Sequence, residues 1–395
     1  MRYLRTLPTS RLLAALGLSL ALCVAAAAGA VVASGGGCET PPPKPLAQAL
    51  HDSLAGPPVD GVTARVTFTN TLFPSGALLG SAGPVLMSGG SGRLWLTSDG
   101  HGRIELQSNL GDAQIVWSPT AATVYDASSD TVYKATLPQA ASSDAGAKDT
   151  PPTLAEITDL LAKVGVHVAL SEATPTNVGG IPAYTVALSP KHDGGLLGAV
   201  EVSWDASHAV PLRAAIYAQG SSSPVLELTT SDISYGAVDA SSVDVAPPAN
   251  AKVVDLGQLS PGKGGDATGG ETSVTGLAAV QAAVDFPVSA PDTLVGLPRQ
   301  DVRLVGDAES QTVVVSYGQG LGGIVVAERK ASAPSSDGAS GVLDSLPTVS
   351  LDGVTAHELA TQLGTIVTWQ HADVSTTLAG SIPAAAAEAA ARELR

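Results

Sequence analysis

The sequence predicts a mainly β protein: one large antiparallel sheet that must curl, its apolar face covered by helices, followed by a smaller α+β unit. Three observations carry this reading. Apolar and polar residues alternate in about ten or eleven short runs between residues 62 and 235, the signature of half-buried strands. Gly-, Asp- and Ser-containing links such as Asp99-Gly100-His101-Gly102 separate the runs and suit tight turns. Only two helical stretches, 46–54 and 153–164, accompany them, and a glycine-rich segment at 256–275 divides this region from the rest. A sheet of that size must curl, and its apolar face needs a cover.

Arg2, Arg5 and Arg11 precede residues 12–33, which carry no charge. That run is long enough to cross a bilayer, and its positive flank puts the rest of the chain outside the cytoplasm. Residues 1–38 therefore read as a signal or membrane-anchor segment, either retained or cleaved. Cys23 and Cys38 are the two cysteines, so residues 39–395 have neither a disulfide framework nor a thiolate metal site. Cys38 resembles the lipid-attachment cysteine of bacterial lipoproteins. However, Gly35 stands where that motif has leucine, so lipidation, retained anchoring and ordinary cleavage all stay open.

The formal charge is −16, from 20 Lys and Arg against 36 Asp and Glu. Nucleic acid is excluded as a partner, because phosphate binding is driven by Lys and Arg neutralisation. An anionic membrane surface would also repel the chain unless a segment such as 12–33 holds it there. Hydrophobic residues make up 44% of the chain with only 4% aromatics and 43 glycines, a profile of small-residue β structure.

In chain order, Leu46, Leu50 and Leu54 share one face of the first helix. Strands follow at 62–69, 93–96, 103–107 and 114–117. After the helix at 153–164, Tyr184, Val186 and Leu188 share a face, as do Val200, Val202 and Trp204, then Leu212, Ala214, Ile216 and Ala218, then Leu226 and Leu228. Strand parity selects Leu94, Leu96, Ile104, Leu106, Val200, Val202 and Trp204 as candidates to line one concave apolar surface under the two helices. An ordinary packed core is the competing reading of the same residues. Beyond the linker, residues 276–395 read as a helix at 277–284, strands at 301–305, 312–317 and 324–328, a helix at 356–363, strands at 365–370 and 375–379, and an alanine-rich helix from Pro383.

Gly318, Gly320 and Gly323 have the G-x-G-x-x-G spacing of a dinucleotide loop. That chemistry needs a helix after the loop to offer free N–H groups to phosphate. Ile324-Val325-Val326-Ala327-Glu328 follows instead, which reads as a second strand, so the glycines form a β-hairpin. The seven histidines, His51, His101, His167, His192, His208, His357 and His371, show no metal-ligand spacing. No G-x-S-x-G elbow occurs, and Lys191-His192-Asp193 precedes two glycines in a loop. The expectation is a protein with no catalytic residue, no metal and no cofactor.

Several strings resemble a known superfamily. Arg103-Ile104-Glu105-Leu106, Gln114-Ile115-Val116-Trp117, Thr123-Val124-Tyr125-Asp126 and Thr131-Val132-Tyr133-Lys134 are similar to early strands of bacterial lipoprotein carriers (LolA-like). So are Val178-Gly179-Gly180-Ile181-Pro182-Ala183-Tyr184, Val210-Pro211-Leu212-Arg213 and Asp232-Ile233-Ser234-Tyr235-Gly236, and the likeness spans roughly residues 46–254. Residues 317–321 and 380–387 resemble the hairpin and last helix of the small C-terminal domain in RseB/MucB-type regulators of extracytoplasmic stress sigma factors. The resemblance implies an open half-barrel over residues 39–255 with a cavity for acyl chains, the linker at 256–275, and a small domain at 276–395. The partners it implies are an acyl lipid or lipoprotein and, in a sensor, a membrane regulator protein; the charge-free run 12–33 adds the membrane as a partner through the N-terminal segment. Carrier, sensor and purely structural surface protein are the three functions to separate.

Overall fold

The computed structural model describes residues 39–72, 85–109, 111–137, 151–166, 168–191, 195–255, 274–306, 311–331 and 346–394. The segment 1–38 with Cys38, and the linker up to residue 273, lie outside them. The chain forms two compact units whose principal division falls at Ser260–Pro261.

In the first unit the helices are α1 (Leu46–Leu54), α2 (Val85–Ser88), α3 (Leu154–Val164) and α4 (Ala240–Val243). The strands are β1 (Gly61–Asn70), β2 (Gly90–Thr97), β3 (Gly102–Ser108), β4 (Gly111–Trp117), β5 (Ala121–Asp126), β6 (Thr131–Thr136), β7 (Val168–Leu170), β8 (Thr174–Val178), β9 (Ile181–Pro190), β10 (Leu197–Asp205), β11 (Pro211–Ala218), β12 (Leu226–Tyr235) and β13 (Lys252–Asp255). All thirteen belong to one sheet, ordered β13-β6-β5-β4-β3-β2-β1-β12-β11-β10-β9-β7 with β8 also on β9. Strands β7, β8 and β13 add to the number expected. They are three to five residues long, too short for alternation to register.

Strand β1 is the hinge of the topology. The β1–β6 meander runs outward from one of its edges, and β12, which ends the later run of strands, pairs antiparallel with the other from Val62↔Tyr235 to Asn70↔Leu226. Strand β13 pairs parallel with β6.

The registers put apolar residues on one face throughout. Val62, Ala64 and Val66 stand opposite Leu96, Leu94 and Gly92, and Leu94 and Gly92 stand opposite Ile104 and Leu106. Large and small residues alternate along the row Val66, Gly92, Leu106 and Ala113. A Cβ on Gly102 would come within 2.1 Å of the Trp117 ring, so the absence of a side chain there is what lets the indole lie over β3.

Helix α1 docks through Leu46, Ala49 and Ser53, all buried. Trp204 Nε1 donates to Ser53 Oγ at 3.1 Å, and that hydroxyl lies 2.9 Å from the Ala206 carbonyl. Helix α3 begins with a capping box: Glu156 N–H donates to Thr153 Oγ1 at 3.3 Å, and Thr153 N–H donates to Glu156 Oε2 at 2.8 Å.

The second unit holds β14 (Thr293–Leu294), β15 (Leu297–Val305), β16 (Thr312–Tyr317), β17 (Ile324–Lys330), β18 (Thr348–Leu351), β19 (Val354–Ala360), β20 (Thr365–His371) and β21 (Val374–Gly380), with α5 (Leu277–Ala283) and α6 (Ala384–Glu393). The sheet order is β14-β15-β16-β17-β21-β20-β19-β18, curled as a half-barrel. Its buried face carries Val313, Val315, Tyr317, Ile324, Val326, Val367, Trp369 and Leu378, against Val280 of α5 and Ala387, Ala390 and Ala391 of α6.

The helix expected at 356–363 is absent: residues 354–360 are strand β19, hydrogen-bonded between β18 and β20. Leu351 pairs directly with Val354 across Asp352 and Gly353, whose φ values are +47° and +93°. An Asp-Gly pair with both residues left-handed is a two-residue hairpin turn. Pairing on both edges then overrides the helical preference of Ala356-His357-Glu358-Leu359-Ala360. The glycine-rich stretch at 318–323 is the loop of the β16–β17 hairpin, with Tyr317↔Ile324 closing it and Gly318 and Gly320 at φ +71° and +70°.

Candidate apolar ligand-binding face

A row of apolar side chains crosses the middle of the first unit's sheet. Leu94 pairs with Ile104, Ile104 with Ile115, and Ile115 with Val124. All four remain half-buried, while Leu106 and Ala113 beside them are only 2% and 3% exposed. On the other side of β1, Phe68, Leu228 and Ala214 form a second partly covered row. Further along, Val200, Val202 and Trp204 stand opposite Leu188, Val186 and Tyr184. Val200 and Trp204 are buried and Val202 is half-buried.

The seven residues selected by parity thus share one face, and packing divides six of them among three clusters. Leu94, Ile104 and Leu106 pack with Val66, Ala113, Phe68 and Leu86. Leu96 belongs with Val62, Leu212 and Val178. Val202 and Trp204 join Leu46, Ala49, Leu161, Tyr184 and Val186. Val200 is buried on the same face, 5% exposed. Helices α1 and α3 therefore lie over the Tyr184–Trp204 end, where the two rings sit 5.9 Å apart, whereas Leu86 of α2 reaches the Leu106 end. Parity in Gln114-Ile115-Val116-Trp117 and Thr123-Val124-Tyr125-Asp126 carried the signal for Ile115 and Val124, which the sequence selection omitted. The row they complete depends on register.

The opposite face is polar. Arg213 donates to Glu201 at 2.8 Å, to Glu227 at 2.6 Å and to Tyr217 at 2.8 Å, tying β10, β11 and β12 together. Burial opposes the guanidinium charge, and these hydrogen bonds outweigh it, so the Arg213 pKa lies above the ordinary arginine value. Thr185 and Ser203 share a hydrogen bond at 2.7 Å, and Arg103 lies 5.0 Å over the Trp95 ring. A sheet apolar on one face and hydrogen-bonded on the other can hold an apolar ligand only on the first.

A buried polar cluster closes the β10–β11 turn. Asp205, 3% exposed, accepts from the Ser207 and His208 N–H groups at 2.6 and 3.2 Å and from the Tyr235 hydroxyl, with His208 Nδ1 at 3.1 Å. Burial first, and then the Asp205 charge, raises the Tyr235 phenol above its ordinary range. Both carboxylate oxygens are committed to holding the turn. Among the described residues no group of three His, Cys, Asp or Glu could hold a metal. Lys191 donates to the Gly165 carbonyl at the end of α3, whereas His167, His192 and Asp193 lie outside the described residues. Among those residues, too, no helix is long and apolar enough to cross a membrane.

No family model and no curated protein matches the chain. Solved structures similar to it include MucB in complex with MucA(peri), at 14% identity and TM-score 0.41, covering 89% of this chain and 96% of that one. A second is the Pseudomonas aeruginosa MucA/MucB complex, at 14% identity and TM-score 0.41, covering 88% and 94%. A third is a domain from Vibrio parahaemolyticus described as outer membrane lipoprotein-sorting, at 12% identity and TM-score 0.22, covering 47% and 89%.

Proposed function

We propose that the protein is a lipid- or lipoprotein-binding protein held outside the cytoplasm by its N-terminal segment, acting without a catalytic group. The observation that carries this is the partly covered row Leu94–Ile104–Ile115–Val124. Four large aliphatic side chains aligned across four strands leave apolar surface that an acyl chain can bury, each CH₂ contributing about 0.8 kcal/mol. A second reading, an RseB-like sensor for an extracytoplasmic stress sigma-factor pathway, is favoured by the compact C-terminal unit, which the simple carriers lack.

The test is mass spectrometry of lipids extracted from protein purified out of its native host, wild type against Ile104→Gln. The half-buried Ile104 leaves room for a glutamine, so the variant should fold and release its acyl ligand. A wild type carrying no acyl ligand overturns the reading. Co-purification of a membrane regulator protein with the wild type would select the sensor over the carrier.

A further inference from the structure

Helix α3 is amphipathic beyond what its packing uses. Leu154, Ile157, Leu160, Leu161 and Val164 fall within one arc of about 120°, with Asp159 and Lys163 outside it. Ile157 is buried, and Leu161 packs in the cluster of Tyr184 and Trp204. The flanks of the arc stay in solvent: Leu154, Leu160 and Val164 are 41%, 59% and 36% exposed, and Val166 just past the helix is 62% exposed. These are four of the six exposed large apolar residues among those described, a concentration on one element rather than the ordinary scatter.

The route of the chain ahead of α1 says what can cover this flank. Glu39 is pinned to β8 by Asn177 Nδ2, which donates to its carbonyl at 3.1 Å; Tyr184 OH donates to Pro42 O at 2.7 Å, and Lys44 bridges to Ala173. Between Ala33, the end of the apolar run, and Glu39 lie only Ser34 to Cys38, a span of at most about 20 Å. Seven residues past Glu39 begins α1, whose Leu50 packs against the same Tyr184–Trp204 cluster as Leu161 of α3. A bilayer holding residues 12–33 is therefore brought within reach of α3. Tethering also raises the local concentration of interfacial lipid to the point where weak contacts suffice. Lys163 and Lys191, two of the chain's 20 cations, stand at the same end as Val164 and Val166, suited to headgroup phosphates while their stems lie on apolar surface.

We infer that the exposed flank of α3, Leu160 and Val164 with Val166, is a membrane-interface contact that lies on the lipid surface when the N-terminal segment is anchored. This rests on the anchoring proposed above.

The experiment places a photo-crosslinking residue at Leu160 in the full chain reconstituted into nanodiscs of phosphatidylcholine and phosphatidylglycerol. The same residue at Gln107, exposed on the polar face of the first unit's sheet, serves as control. The expected result is lipid adducts several-fold more abundant from position 160 than from 107, with a similar loss in Leu160→Ser/Val164→Ser carrying the crosslinker at Val166. A chain that stays with the discs but gives no excess adduct at 160 overturns this inference alone, and so does crosslinking to a second copy of the chain. A chain that does not stay with the discs overturns the anchoring and this contact together.

Discussion

The Ser289 N–H donates to Glu328 Oε2 at 3.0 Å inside the second unit, where Glu328 is 2% exposed on a strand whose other inward residues are Ile324 and Val326. The bond holds the segment after α5 on the sheet. Gln281 fastens the same segment, donating to the Phe286 carbonyl and accepting from the Val288 N–H, both at 2.9 Å. Burial pushes the Glu328 carboxyl up to about 7, against a partial lowering by the Ser289 hydrogen bond.

A carboxyl whose pKa is higher folded than unfolded binds its proton more tightly in the folded state. Its contribution is fully present below about pH 4.5 and is lost as pH rises through about 7, by roughly 3 kcal/mol at the limit. Urea unfolding of wild type against Glu328→Gln should show the variant gaining relative stability between pH 5 and pH 8. A pH-independent difference between the two would show that the carboxyl does not titrate in the folded protein.

The turn between β18 and β19 fixes the sign of a glycine replacement. At a glycine with negative φ, replacement with alanine would stabilise by up to about 1 kcal/mol. At φ +93°, with no atom within 4 Å of the added Cβ, the same Gly353→Ala change strains the backbone and should destabilise by about 1 kcal/mol. Thermal unfolding reads the sign.

Ser53 joins α1 to the sheet through Trp204 and Ala206. Ser53→Ala leaves a buried indole N–H and a carbonyl without this partner, and should cost about 1–3 kcal/mol. The Trp204 emission should shift in the same variant. An unchanged midpoint and spectrum would mean that the contact is not formed in solution.

Ile104 and Leu106 lie two residues apart on one strand face and should respond differently. Leu106, packed against Val66 and Ala113, should lose roughly several kcal/mol on mutation to glutamate, because the charge has no partner there. Ile104→Gln should lose little stability, since half-buried residues tolerate polar groups that reach water. Equal losses would place the whole row in a close-packed core.

Much of this architecture follows from local pattern. The pleat alternates side chains between faces, so period two in residues 62–69, 103–107 and 184–188 reports strand and facing without knowledge of the partner strand. Leu46, Leu50 and Leu54 on one face place α1 for the same reason, and the start of α3 is fixed within four residues by the Thr153–Glu156 capping box. The strands β7, β8, β13, β14 and β18 are too short to show a period.

What only the tertiary structure decides is pairing across distance. Residues 354–360 become a strand because β18 and β20 both supply hydrogen-bond partners, outweighing a local helical preference. The meeting of β1 with β12 closes more than a hundred and fifty residues of chain, as Val62↔Tyr235 shows, and no short window of sequence contains both partners. Register then aligns Leu94, Ile104, Ile115 and Val124 into one row. Sequence parity establishes that these side chains share a face of the sheet. Their alignment, and the half-covered surface it leaves, follow from how far neighbouring strands slide before their hydrogen bonds form.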